Sequence, residues 1–194
     1  MNTFDFYITL GYKHISDLAG YDHILFLVAL CAIYKIEQWK KILILVTAFT
    51  IGHSITLVLA SLDTITIPSH IIKFLIPTTI MLTAFHNVLS HKPEGYSGKM
   101  WRNYAMALFF GLIHGMDFSN YFKALIMDPS QIVTPLLGFN IGIELGQLLV
   151  VACIVIIAFI FLNLISVKHR DWNLFISGAA AGMSFISMMD NKFW

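Results

Sequence analysis

The stretch Phe139-Asn140-Ile141-Gly142-Ile143-Glu144-Leu145-Gly146-Gln147 lies inside a long apolar run and decides the fold. A run of about twenty apolar residues is long enough to cross a bilayer as a helix. Its polar residues follow i, i+4, i+7 spacing and share one helical face: Asn140, Glu144 and Gln147. Three glycines form a small-xxx-small ladder on roughly the opposite face: Gly138, Gly142 and Gly146. The stretch therefore predicts a membrane-spanning helix with one ligand-presenting face and one close-packing face.

The rest of the chain has the composition of a membrane protein. Of its 194 residues 58% are hydrophobic and only 12% are charged, with a mean hydropathy of +0.77. This leaves too little polar surface for a soluble globule. Apolar runs long enough to span a bilayer lie near 15–35, 41–61, 67–90, 101–120, 133–163 and 172–190. We predict an all-α integral membrane protein, surrounded by lipid, with residues 1–194 forming one bundle of about six transmembrane helices.

The basic residues predict the orientation of this bundle. Most of them follow the first, third and fifth predicted spans: Lys35, Lys40, Lys41, Lys92, Lys99, Arg102, Lys168 and Arg170. The opposite side holds only Lys13, Lys73, Lys123 and Lys192. Because basic connections stay in the cytoplasm, both termini are expected outside it. Interfacial tryptophans agree, with Trp39, Trp101 and Trp172 at the basic ends and Trp194 at the other face. The net charge of +1 gives no argument for a nucleic-acid partner.

Four of the predicted spans carry ionisable or amide side chains, which are costly in hydrocarbon and are usually retained for a site. A helix rises about 1.5 Å per residue, so the depth of each side chain below the outer surface can be counted. Five residues come out roughly 8–17 Å deep: His23, His53, His114, Asn140 and Glu144. We therefore expect the first, second, fourth and fifth spans to enclose one polar cavity.

Imidazole and carboxylate groups gathered in a low-dielectric cavity suit a divalent transition metal such as nickel, cobalt, zinc or iron. A polar network that only holds the bundle together is the alternative. Three histidines and two acids at one depth are more than packing requires, which favours the metal site.

Four segments of the chain resemble the signature motifs of the HupE/UreJ family, in the same order: 20–27 (GYDHILFL), 49–57 (FTIGHSITL), 110–115 (FGLIHG) and 139–147 (FNIGIELGQ). That family is associated with membrane nickel or cobalt permeases. The resemblance implies that a metal site is formed or lined by Asp22, His23, His53, His114 and Glu144. It further implies supporting roles for Asn140 and Gln147, and it matches His14 to the family's upstream histidine at the mouth of the first helix. Met116 and Asp117 depart from the family pattern of small residues and phenylalanine.

Two functions remain open at this point. The preferred one is a permease of the bacterial inner membrane, in which the bundle passes a divalent ion from the outside to the cytoplasm. The alternative is an intramembrane zinc hydrolase acting on a lipid or lipoprotein, with Glu144 or Asp117 as general base. No His-Glu-x-x-His motif accompanies the alternative.

Three further patterns concern packing. The segments 49–52 (FTIG) and 139–142 (FNIG) echo each other in helices that are expected to run in opposite directions, as in an inverted repeat. Gly178 and Gly182 predict a close-packing surface on the sixth span, and such glycine ladders permit a homo-oligomer without requiring one. His86 and Asn87 are expected to form interhelical hydrogen bonds and are left out of the site.

Overall fold

A computed structural model describes residues 3–18, 20–89, 100–126 and 132–193. Within these ranges seven α-helices follow one another: α1 (Thr3–Ser16), α2 (Asp22–Ala32), α3 (Trp39–Ser61), α4 (Ser69–Leu89), α5 (Met100–Leu125), α6 (Val133–Phe159) and α7 (His169–Asp190). A short 3-10 helix, Ile36–Gln38, precedes α3, and a π-helical turn, Ile160–Leu164, extends α6. The described residues contain no strand. The predicted all-helical fold is confirmed.

In the part of the chain that the structure describes, four helical segments are long and apolar enough to cross a membrane: Ile36–Ser61, Ser69–Leu89, Val133–Leu164 and His169–Asp190. They correspond to the second, third, fifth and sixth predicted spans. Helix α5 coincides with the fourth predicted span and has 26 residues, but it is not among these four segments. The chain is thus an integral membrane protein, while its number of spans stays a prediction.

The first predicted span, near 15–35, begins after most of α1 and runs across a break between two helices. The chain forms two helices here, because α1 ends at Ser16 and α2 begins at Asp22. Helix α1 lies along the first half of α6, and the end of α2 lies beside Ile154 and Ile157 further along α6. The two short helices therefore follow α6 one after the other, like two halves of one interrupted helix. The pattern of apolar residues concealed α1 because this helix carries charged and polar side chains among its apolar ones.

Glycines bring α1 and α6 into close contact. A Cβ atom on Gly11 would lie within 3.0 Å of the Phe139 carbonyl and the Ile143 amide of α6. A Cβ atom on Gly142 would meet Ile8 and Tyr12 of α1 equally closely. Gly138 faces Phe4 and Gly146 faces Tyr12, so the residue numbers rise together and the two helices are parallel. The close-packing face predicted from this glycine ladder is confirmed.

Helices α3 and α5 form a second parallel pair of the same kind. A Cβ atom on Gly111 would lie within 3.0 Å of the Phe49 carbonyl and the His53 amide, and one on Gly52 would meet Leu108 and Leu112. By contrast, a Cβ built on Gly178 or Gly182 has no neighbouring atom of the described residues within 4 Å. The close-packing surface predicted for α7 is therefore wrong within this chain.

The two parallel pairs run in opposite directions. The Tyr7 hydroxyl near the start of α1 donates a hydrogen bond to the Leu125 carbonyl at the end of α5, at 3.1 Å. Lys123, also near the end of α5, forms an ion pair with Asp63 just beyond the end of α3. The start of α1 therefore lies beside the ends of α3 and α5.

Helices α4 and α7 form a third pair, which is antiparallel. The Asn87 side chain at the end of α4 donates to the Ala29 carbonyl at 2.6 Å and to Ser177 Oγ at 3.3 Å. Asn87 thus joins α2, α4 and α7, which confirms its expected interhelical role.

At the other end of the α4–α7 pair, the ring of Phe193 lies 5.3 Å from that of His70. The start of α4 follows the end of α3 after only seven residues, so the described end of the chain after α7 lies at the same end of the bundle as the start of α1. Lys92, Lys99 and Trp194, which helped to predict the orientation, lie outside the described residues.

Candidate metal centre

Three histidines from three helices converge inside the bundle: His14 of α1, His23 of α2 and His53 of α3. One nitrogen of each ring lies within 4.8 Å of the others, so the group could hold a metal ion. The ring centroids of His14 and His23 are 4.7 Å apart, and those of His14 and His53 are 5.8 Å apart. Nitrogens bound to one ion at about 2.1 Å can be at most about 4.2 Å apart. The 4.8 Å limit is slightly longer than this, so the three nitrogens must move closer together to bind one ion.

The local sequence explains how these rings meet. His14 lies in the last turn of α1 and His23 in the first turn of α2, so the two residues lie on either side of the break between these helices. His53 directly follows Gly52, whose missing side chain lets α5 approach the backbone of α3. Each ring is thus placed by a helix end or by a close helix contact.

The three rings have nitrogens without partners. His53 is 0% exposed, and neither of its ring nitrogens has a hydrogen-bond partner in the described part of the chain. The Nε2 atoms of His14 and His23 are also buried and without such a partner there. Buried polar atoms in proteins are nearly always hydrogen-bonded, so open nitrogens on three neighbouring rings form a candidate site for a cation.

His114 of α5 lies beside this group without belonging to it. Its ring centroid is 5.2 Å from that of His23, and the side chain is 0% exposed. Its Nε2 atom lies 3.3 Å from the Thr79 hydroxyl of α4, while its Nδ1 is buried with no partner among the described residues.

The predicted acidic and amide residues of α6 are held elsewhere. Glu144 Oε1 accepts a hydrogen bond of 2.7 Å from the Thr47 hydroxyl, and Gln147 Oε1 accepts one of 2.6 Å from the Thr50 hydroxyl. Both bonds tie α6 to α3, outside the three-histidine group. Asn140 has a buried side-chain oxygen without a partner in the described ranges.

Two predicted carboxylates flank the histidines. Asp22 directly precedes His23, and Asp117 lies on α5, three residues after His114. Neither carboxylate belongs to the three-histidine group.

A cleft of about 630 Å³ opens beside His14. Its lining combines apolar and polar residues from α1, the break after it and α5: Leu10, Lys13, His14, Ser16, Asp17, Leu18 and Phe118. The cleft gives the histidine group contact with the surroundings on one side.

Aromatic rings enclose the histidines from both ends of the bundle. Toward the chain termini, the rings of Phe118 and Phe139 stack with centroids 4.9 Å apart. Toward the opposite end, Phe26 and Phe49 stack at 4.9 Å, and both lie within 5.5 Å of the His114 ring. The histidines thus lie in a polar layer between two apolar ones.

Sequence reasoning gave His14 a supporting role, whereas the structure places it in the three-histidine group. It did not consider Thr79, which contacts His114. A signal for His14 existed, because Gly11-Tyr12-Lys13-His14 repeats the Gly-x-x-His spacing of Gly111-Leu112-Ile113-His114. The charged residues of α1 hid this match by concealing the helix itself.

The fold and the site together define an all-helical integral membrane protein with histidines clustered inside its bundle. Residues 1–191 match the family model described as HupE / UreJ protein. The chain therefore belongs to the HupE/UreJ family, as its motifs suggested. No curated protein and no solved structure matches it.

Proposed function

We propose that this protein is a membrane permease that carries a divalent transition-metal ion of the nickel or cobalt type. The observation that carries the proposal is the group formed by His14, His23 and His53, whose nitrogens lie within 4.8 Å of one another on three helices. Neutral imidazoles bind nickel, cobalt and zinc well. Membership of the HupE/UreJ family supports the same class of ion, since the family is associated with nickel and cobalt uptake.

In this proposal, both termini face outward and the membrane is the bacterial inner membrane. The ion approaches through the cleft beside His14, attracted by the carboxylates of Asp22 and Asp117. It exchanges water for imidazole nitrogens in the histidine group. The two apolar ring layers keep water and other ions from passing while the metal is bound. Carboxylates at the edge of the group offset part of the ion's charge.

Transport of ⁶³Ni²⁺ or ⁵⁷Co²⁺ into liposomes containing the purified protein tests this proposal. The wild-type protein should accumulate the ion above protein-free liposomes when a proton or ion gradient is imposed. His53→Ala should reduce accumulation at least about tenfold, because removing a ligand costs more than the 10- to 100-fold typical of losing its outer partner. His70→Ala, at the end of the bundle and away from the group, is the matched control and should transport normally. Wild-type liposomes that accumulate neither ion under any gradient would contradict the proposal.

A zinc-dependent hydrolase is the second candidate, and the cleft favours it. Three histidines with an open fourth position resemble the ligand set of a catalytic zinc site. The cleft beside His14 has Leu10, Leu18 and Phe118 in its lining, which could receive an acyl chain. Asp117 would then be the general base, since Glu144 is held by Thr47. Zinc that copurifies in equal amount with the protein, together with release of fatty acid from lipid vesicles, would favour this function over transport.

A further inference from the structure

The two parallel helix pairs repeat each other at the residues where their helices touch. Helix α5 carries Gly111 and His114 at positions 100 residues after Gly11 and His14 of α1. Helices α3 and α6 carry the matching segments 49–52 (FTIG) and 139–142 (FNIG). The repeat therefore relates α1 to α5 and α6 to α3.

The contacts inside the pairs follow the same repeat. The Cβ position of Gly11 faces the carbonyl of Phe139, and that of Gly111 faces the carbonyl of Phe49. Gly142 in turn faces Ile8, three positions before Gly11. Gly52 likewise faces Leu108, three positions before Gly111. Because the pairs run in opposite directions, they are related as an inverted repeat, the arrangement from which many transporters build two opposite-facing states.

His23 lies between the two equivalent histidines of this repeat. The ring of His14 is 4.7 Å from that of His23, at an interplanar angle of 66°. The ring of His114 is 5.2 Å from His23 on another side, at 68°. The phenylalanines that match in the repeat show the same relation. The ring centroid of Phe139 lies 5.7 Å from that of His14, and the ring centroid of Phe49 lies 5.1 Å from that of His114. His14 and His114 thus occupy equivalent places around one central imidazole.

Hydrogen bonding leaves one nitrogen of His114 ready to bind a cation. The Thr79 hydroxyl donates its only proton to the Ile76 carbonyl at 2.7 Å. The bond to Ile76 is the shorter of the two, so we assign the hydroxyl proton to it, and the Thr79 oxygen then accepts from Nε2 of His114 at 3.3 Å. With the ring proton on Nε2, the lone pair is on Nδ1, which is buried and has no partner in the described ranges. An outer hydrogen bond that fixes the tautomer in this way is typical of metal-binding histidines.

We propose that His114 forms a second cation position with His23 and takes over the ion that His14 releases. This inference rests on the permease function proposed above. His23 remains a ligand throughout. His14 and His114 bind the ion alternately, as the two helix pairs exchange conformations between the two opposite-facing states. A phenylalanine ring closes each cation position on the side of its own apolar layer. Phe139 does so next to His14, and Phe49 does so next to His114. Thr79 is a positioning residue, which acts through His114.

Co²⁺ is the probe for the test, because it can be followed by binding, by X-ray absorption and by uptake. The variants His14→Asn and His114→Asn are compared in the full-length protein. His14→Asn should weaken Co²⁺ binding at least about tenfold and lower the number of imidazole ligands from three to two. His114→Asn should keep three imidazole ligands and an affinity within about threefold of wild type, yet lower uptake at least about tenfold.

A second pair of variants covers the case in which His114→Asn does not fold. Thr79→Val keeps His114 but removes the oxygen that accepts from it, so uptake should fall about tenfold with unchanged Co²⁺ affinity. Thr83→Val is the matched control. The Thr83 hydroxyl lies one turn further along α4 and donates to the Thr79 carbonyl at 2.9 Å, so its loss should leave uptake unchanged.

The outcomes separate this inference from the proposed function. If the wild-type protein carries no Co²⁺, both fail. If the wild-type protein carries Co²⁺ and His114→Asn, or in its place Thr79→Val, carries it equally well, only the second position is wrong. Loss of one imidazole ligand from the bound Co²⁺ in His114→Asn would likewise overturn it, because His114 would then belong to the first group.

Discussion

At the scale of single residues, His53 presents a conflict between stability and function. Its ring is fully buried, and both nitrogens have no partner within the described residues. Leaving a buried polar group unsatisfied costs about 1–3 kcal/mol. A residue selected for packing alone would be apolar here, so the cost supports the metal-binding role proposed for His53.

The substitution His53→Leu should therefore leave the metal-free protein as stable as the wild type or raise its stability by about 1 kcal/mol. It should also remove the stabilisation that Co²⁺ gives to the wild-type protein. Thermal unfolding in detergent, with and without Co²⁺, measures both effects. Gln147→Leu is the contrasting variant: Gln147 accepts a hydrogen bond from Thr50, so its loss should lower stability by about 0.5–1 kcal/mol. A metal-free His53→Leu protein clearly less stable than the Gln147→Leu protein would contradict this account.

At the scale of helices, packing is decided by where the glycines face. Gly11 and Gly142 allow α1 and α6 to touch along their backbones, and Gly52 and Gly111 do the same for α3 and α5. In lipid, such close approach replaces the hydrophobic effect as the source of helix association. Gly178 and Gly182 have the same spacing on α7 but face no atom within 4 Å. Identical spacing in the sequence thus has different consequences for different helices.

The pair Gly142→Ala and Gly178→Ala tests this difference. The new Cβ on residue 142 would meet the Ile8 carbonyl and the Tyr12 amide inside 3.0 Å, so α1 and α6 must separate. The expected loss is about 1–3 kcal/mol, the usual cost of overpacking. At position 178 the Cβ meets no atom within 4 Å, and alanine's higher helix propensity should leave stability unchanged or raised by up to about 1 kcal/mol. Unfolding in increasing SDS measures both, and equal losses would show that α7 packs against another surface.

At the scale of the whole molecule, much of the fold was predictable from the sequence. Apolar runs indicated the helical class, and the glycine ladder of α6 indicated its packing face. His23 and His53 were predicted to meet because both lie at similar depths in apolar spans. The break between α1 and α2 was not predictable from hydropathy, since Lys13 and His14 make α1 too polar. Nor could depth alone show that Glu144 is held by Thr47, because that depends on the rotation of two helices.

The orientation of the molecule gives the last prediction. Asp5 lies near the start of α1, beside the end of α5, and Asp190 ends α7 close to Phe193, which contacts His70 at the same end of the bundle. Glu37 precedes α3, at the opposite end from Asp63 and Lys123. Because Lys35, Lys40 and Lys41 surround Glu37, this opposite end should face the cytoplasm.

Single cysteines introduced at these three positions, with Cys31 and Cys153 replaced by alanine, test that orientation. A membrane-impermeant maleimide added to intact spheroplasts should label Asp5→Cys and Asp190→Cys, whereas Glu37→Cys should react only after lysis. The reverse pattern would mean that the end of the bundle at which α1 begins faces the cytoplasm, and it would contradict the proposed orientation. Labelling of position 5 and position 190 from opposite sides would contradict the helix arrangement itself, because Tyr7 contacts Leu125 and Phe193 contacts His70 at one end of the bundle.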